Sequence, residues 1–142
     1  MKDYKRILAA CDLSEYTDIV LDAAVGLAAS TGAELFLVNV INQRDLDSMA
    51  TALEKIAQDY DNFPVSIAQY RVDLEAERLQ SLQDVFKKAA GSGSKCNFVI
   101  KVGIPFQQIL ETIAEHHIDL VVMEMARKIP VTMLPIRRPP TA

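Results

Sequence analysis

At 142 residues, half of them hydrophobic, the chain has the size of one domain and can bury a core without disulfide or metal staples. A net charge of −4 with no cluster of Lys and Arg argues against a nucleic-acid backbone as the main partner. No signal-like leader and no apolar run of about 18 residues points to export or a membrane, and the cysteines Cys11 and Cys96 fit reduced thiols better than a disulfide framework, so the expectation is a cytoplasmic protein.

Ile7-Leu8-Ala9-Ala10-Cys11 is short, nearly all apolar and breaks abruptly into Asp12-Leu13-Ser14, the pattern of a strand covered on both faces that ends in a turn. In an open parallel sheet that mouth is where ligands sit. Asp12 therefore carries two readings: a ribose or metal-water contact, or a turn carboxylate beside Ser14. Ile19, Val20, Ala23, Ala24, Leu27 and Ala28 recur at helical spacing, Ser14 is a suitable N-cap and Gly32 a suitable left-handed stop, which predicts a helix over 14–31 lying flat on the sheet. Leu35 to Val40 gives a second buried strand, joined to the first by a right-handed crossover and hence parallel to it.

Residues 41–95 read as two helical pieces, one marked by Leu46, Met49, Ala50, Leu53, Ile56, Ala57 and Tyr60, the other running through Leu74, Leu79, Leu82, Val85, Phe86 and Ala89. Asp61-Asn62-Phe63-Pro64 breaks them apart, and Gly91-Ser92-Gly93-Ser94 ends the second near Ala90. Asn97 to Val102 is a third strand. Gly103-Ile104-Pro105 turns it into a helix with Pro105 at the first position, where a missing N–H costs nothing, and with Phe106, Ile109, Leu110, Ile113 and Ala114 toward the sheet. Leu120 to Met123 is a fourth strand and Val131 to Ile136 a fifth, so the class is α/β.

In its opener Ile7 to Glu15, the strand Gly32 to Val40, the turn Val102 to Pro105 and the strands Ile118 to Met123 and Ile129 to Ile136, the chain resembles the universal stress protein family. That resemblance implies a Rossmann-like open sheet of five parallel strands, order 3-2-1-4-5, with helices on both faces. It also implies an adenine nucleotide, ATP with Mg or AMP, held by Asp12, by backbone near Val40, and with Met123 at the purine edge; Cys11 and Gly103 flank the same mouth. A homodimer through Val131 to Ile136 and an unidentified protein partner belong to the same picture, with no enzyme activity beyond slow ATP hydrolysis.

Two departures from the family stand out. Its nucleotide-binding members follow the fourth strand with glycines that let backbone N–H groups approach phosphate, whereas here Glu124-Met125-Ala126-Arg127-Lys128-Ile129-Pro130 holds no glycine and opens on a carboxylate. Moreover, the six residues from Glu124 to Ile129 span at most about 20 Å, short of the dozen or so residues that a parallel crossover needs. Either the last strand leaves its parallel place, pairing antiparallel or with another subunit, or a crossover segment belongs between Lys128 and Ile129 that this sequence omits. The likeness of 129–136 to a final family strand favours the omission. A nucleotide-independent dimeric stress module is the alternative function.

Other chemistry finds little footing. His116 and His117 are adjacent on a helix end and point apart, which suits a dipole partner or solvated residues better than a metal site. Cys11 fits a small buried strand residue better than a redox thiol. Ser14 lacks the glycines of a nucleophile elbow.

Overall fold

In the computed structural model, which describes residues 4–124 and 131–137, the chain alternates strands and helices in the order β1 (Arg6–Ala10), α1 (Thr17–Thr31), β2 (Glu34–Asn42), α2 (Gln43–Asp59), α3 (Ile67–Ala90), β3 (Asn97–Gly103), α4 (Pro105–His116), β4 (Leu120–Met123) and β5 (Thr132–Pro135). One sheet holds all five strands in the order β3-β2-β1-β4-β5. β1 pairs in parallel with β2 and β4, in register Leu8 with Phe36 and with Val121, and β2 pairs in parallel with β3, Val38 against Val99.

The fifth strand corrects the expectation. β5 runs antiparallel to β4, Val121 opposite Leu134 and Met123 opposite Thr132, within one continuous chain. The eight residues between Met123 and Thr132 explain the reversal, because a short connection can turn the chain back beside β4 but cannot carry it across the sheet to start a parallel strand. For the sequence as it stands, connection length sets the direction of β5. Of the expected final strand, Ile129 and Pro130 lie outside the described residues, as do Arg138 to Pro140 of the tail.

Successive strand residues face opposite sides, so each side of the sheet has its own core. On one side Ile7, Ala9, Leu35, Leu37 and Val122 pack with Val20, Leu21 and Ala24 of α1 and with Leu82 and Phe86 of α3. On the other, Leu8, Phe36, Val38 and Val121 meet Ile109 and Ile113 of α4. Phe106 and Leu110, expected to face the sheet, are 62% and 51% exposed. No described element flanks α4 on that side, so its apolar stripe is only half covered, and Thr112 is the fully buried residue of the helix, its hydroxyl donating to the Gln108 carbonyl at 2.7 Å.

Local signals place the helix ends. Gly32 takes a left-handed φ of 72° and its N–H closes α1 on the Ala28 carbonyl, as the sequence suggests. α3 starts earlier than its leucines indicate, because Ser66 caps it by accepting from the Gln69 N–H at 3.1 Å. At the amino rim, Asp119 Oδ2 accepts from the N–H groups of Lys5 and Arg6, both at 2.9 Å, and its carbonyl accepts from the Ile136 N–H. Asp119 thus joins the entries of β1 and β4 through its carboxylate and the exit of β5 through its carbonyl. No helix of the described residues is long and apolar enough to cross a membrane.

Candidate functional site

The chain leaves β1 toward β2 on one side and enters β4 on the other, so the carboxyl ends of β1 and β4 form the topological switch point at which open α/β sheets bind ligands. Cys11 extends β1 by one bond, its N–H donating to the Val38 carbonyl at 2.9 Å. The chain then reverses at Leu13, which takes the left-handed φ of 60°, an uncommon state for a side chain of that size. Asp12 Oδ1 stabilises the reversal by accepting from the Ser14 N–H at 2.9 Å and from the Thr17 hydroxyl at 3.5 Å.

The turn role foreseen for Asp12 is therefore present, and its carboxylate remains exposed at the rim. Ser14 is not the N-cap. Its hydroxyl accepts from the Tyr16 N–H at 3.3 Å, one more side-chain turn, so α1 begins three residues later than expected, at Thr17, behind a Tyr16 N-cap that makes no side-chain bond. Two consecutive polar turns use the residues that would otherwise start the helix.

Between this turn, β2, β4 and the start of α4 lies a cavity of about 170 Å3 lined by Ala10, Cys11, Asp12, Val38, Val40, Pro105, Ile109, Met123 and Glu124. Cys11, Asp12, Val40 and Met123 all line it. Gly103 does not line it. Gly103 takes a φ of 156°, a backbone state that L side chains rarely adopt, and a Cβ there would also require the Gln108 side chain, 2.6 Å away at Nε2, to move aside. Larger depressions, of about 840 and 760 Å3, open at the opposite, amino end of the sheet around Cys96, Asn97 and Phe98. They lie away from the switch point, where the smaller cavity sits.

One element of the site was invisible in the apolar run of β2. Asn39 is 1% exposed, and a buried amide must find partners. Its Nδ2 donates to the Cys11 carbonyl at 2.8 Å, and its Oδ1 accepts from Arg78 of α3 at 3.0 Å. A polar residue inside Leu35 to Val40 was the available signal. Through it α3 holds the backbone immediately before Asp12.

Burial pushes the thiols of Cys11 and Cys96 from an ordinary 9.0 up to about 12, which makes both poor nucleophiles. Each folded-state value lies above its unfolded one, so the neutral thiols favour the fold below pH 9, and that contribution fades as pH rises from 9.0 toward about 12. Urea midpoints measured across that window should fall further in the parent than in a Cys11→Ala, Cys96→Ala double variant. Parallel pH curves would show that the thiols do not contribute. The His116 ring rests on Phe36 with centroids 4.9 Å apart, His117 ends α4 in a left-handed conformation, and among the described residues no group of three His, Cys, Asp or Glu converges.

Comparison with known proteins agrees with this fold. Residues 3–131 match the model of the universal stress protein family. Universal stress protein MJ0577 of Methanocaldococcus jannaschii is 23% identical over 128 residues, covering 84% of this chain and 75% of that protein; its solved structure superposes with a TM-score of 0.66 over 89% of this chain and 79% of the other. YxiE of Bacillus subtilis, also a universal stress protein, is 29% identical over 120 residues, or 84% of this chain and 78% of that one. A universal stress protein solved in complex with cAMP shares the fold at a TM-score of 0.55 and 18% identity, over 84% of this chain and 71% of the other.

Proposed function

The chain belongs to the universal stress protein family, and from that membership we propose that it is a non-catalytic regulatory module whose carboxyl-rim crevice binds an adenine nucleotide, ATP or AMP, weakly. The observation that carries this reading is the meeting of Asp12, Val40 and Met123 around one cavity at the switch point. Val38, Val40, Ile109 and Met123 supply apolar walls for a planar base, and Asp12 supplies an acceptor for ribose hydroxyls at the exposed edge. The related structure that holds cAMP supports a nucleotide of this class. At about 170 Å3 the cavity is smaller than the roughly 300–1,000 Å3 of sites that enclose a whole drug-sized ligand, so it suits the base, with the remainder lying outward.

Magnesium enters this reading only with ATP, brought by the phosphates, because the described residues gather no ligand set of their own. The proposal contains no reaction: Asp12 Oδ1 already serves the turn by accepting from the Ser14 N–H and the Thr17 hydroxyl, and the role given to its carboxylate is that of an acceptor for ligand hydroxyls. Calorimetric titration of AMP into the parent and into Asp12→Ala tests it: the variant should bind at least about tenfold more weakly, the worth of one charge-assisted hydrogen bond. Equal affinities would remove Asp12 from the site.

The proposal includes a homodimer paired along β5. This strand ends the sheet, and Met133 and Leu134 on it are 46% and 39% exposed. An exposed apolar edge strand is a template for pairing, and Pro135, which lacks an N–H, limits how far it extends. Sedimentation velocity should find a dimer that Met133→Lys with Leu134→Lys shifts to monomer. A dimer that survives both charges must lie elsewhere. Cytoplasmic placement, suggested by the two free thiols, belongs to the same proposal.

A further inference from the structure

β3 ends the sheet on the side away from β5, and β2 is its one described neighbour. Backbone groups of a strand point to alternate sides, so those of β3 that do not bond β2 face outward. Among the described residues no backbone group outside β2 bonds to β3, and each residue of the strand is at least partly exposed. β5 is four residues long and carries Pro135, whereas β3 runs for seven without a proline. Its single charge, Lys101, is drawn onto α4 by Glu115 at 2.9 Å. The usual devices that blunt an edge strand are thus missing from β3.

The two large depressions of the amino rim meet at the start of this edge. The one of about 760 Å3 is lined by Glu115 and His116 of α4, by Asn97 and Val99 of β3 and by Leu79 of α3, so it passes across the open edge from one face of the sheet to the other. The one of about 840 Å3 lies on the α3 face, where Phe86 and Phe98 meet edge-on with centroids 5.7 Å apart. Exposed Lys87 and Lys95 line it, and neither takes part in an ion pair among the described residues. Its one carboxylate, Glu34, is engaged by Arg6 at 3.7 Å and by the Asn97 amide at 2.8 Å. We propose that the outer edge of β3 accepts an extended peptide as a sixth strand, one carrying an aromatic or large aliphatic side chain two positions from an acidic one. Alternation decides that chemistry. A residue beside Phe98 faces the α3 groove as Phe98 does and rests on the two rings, and the residue two positions on, on the same face, brings a carboxylate to Lys87 or Lys95. A second copy of the chain is a poorer occupant: twofold pairing about Ile100, the middle of the strand, sets Val102 opposite Phe98 and Gly103 opposite Asn97, too small to fill either groove.

The test is amide hydrogen exchange of the full chain by NMR, with and without the acetylated, amidated peptide Thr-Glu-Thr-Phe-Thr-Glu-Thr, whose symmetry serves either strand direction. Saturating peptide should slow exchange at alternate residues of β3, those whose N–H groups face outward, by at least about tenfold and leave β5 unchanged. Methylating every second backbone nitrogen of the peptide keeps its side chains. In the phase that faces β3 this should weaken binding at least about tenfold, the worth of two hydrogen bonds, and in the other phase it should not. The charge reversal Lys87→Glu with Lys95→Glu should weaken the acidic peptide and favour its counterpart with lysine in place of glutamate. No protection at millimolar peptide, equal binding of both methylated forms and the parent, or a preference unmoved by the charge reversal overturns the inference. So does exchange that is already slow at those N–H groups in the free protein and quickens on dilution, which would place a second copy on the edge.

Discussion

Asn39→Leu is expected to lower the unfolding free energy by about 2–4 kcal/mol, because it strands a buried carbonyl and strips a guanidinium of its acceptor at once. The two bonds concerned, Nδ2 to the Cys11 carbonyl at 2.8 Å and Arg78 to Oδ1 at 3.0 Å, cross from β1 to α3 through a residue that is 1% exposed. Leucine supplies apolar volume but replaces neither bond. Arg78, half-buried, can turn part way to water; the Cys11 carbonyl cannot. Arg78→Met should cost less, about 1–2 kcal/mol, because it leaves one buried acceptor, Asn39 Oδ1, unpaired while the bond to Cys11 stays. Asn39→Asp should still destabilise although it keeps an acceptor for Arg78, since a carboxylate has nothing to donate to Cys11. Urea unfolding at constant m-value reads all three. If Asn39→Leu unfolds within about 0.5 kcal/mol of the parent, the level of an ordinary surface change, the bridge does not hold the fold.

What the sequence disclosed follows the range of the forces involved. Gly32 and Pro105 act on their own backbone, so the end of α1 and the start of α4 were legible. Ser66 with Gln69 three residues on was a legible start for α3 too, outshone by the leucines further along. Helical spacing gave α4 an apolar stripe but could not say how wide a neighbour covers it, and so Phe106 and Leu110 were placed inside. The direction of β5 was a matter of connection length, and the chemical likeness of its residues to a parallel strand pulled the other way. At the site, Asp12 stood out because it ends an apolar run, and Val40 and Met123 followed from the family's pattern. Asn39 escaped because its partners, Cys11 and Arg78, lie 28 and 39 residues away in sequence.

The same strand order leads to a second large effect, in which two leucines with identical chemistry report on opposite faces of the sheet. Leu37 on β2 and Leu8 on β1 are both fully buried, so the transfer free energy lost on truncation to alanine is the same. Leu37 points into the core closed by α1 and α3, while Leu8 points into the core that α4 alone covers, beside a flank left exposed at Phe106 and Leu110. A cavity between two helices and a sheet relaxes little, and the remaining void adds to the cost; beneath one helix with a free flank, neighbours can settle inward. Leu37→Ala should therefore cost about 4–5 kcal/mol and Leu8→Ala about 3, within the range known for buried leucines. Stabilities of domains this size are of order 5–15 kcal/mol, so Leu37→Ala should bring the protein close to unfolding at 37 °C while Leu8→Ala stays folded. Denaturant titrations of the two variants decide the point. Equal losses, or a larger one at Leu8, would mean that the single-helix face is packed as rigidly as the other.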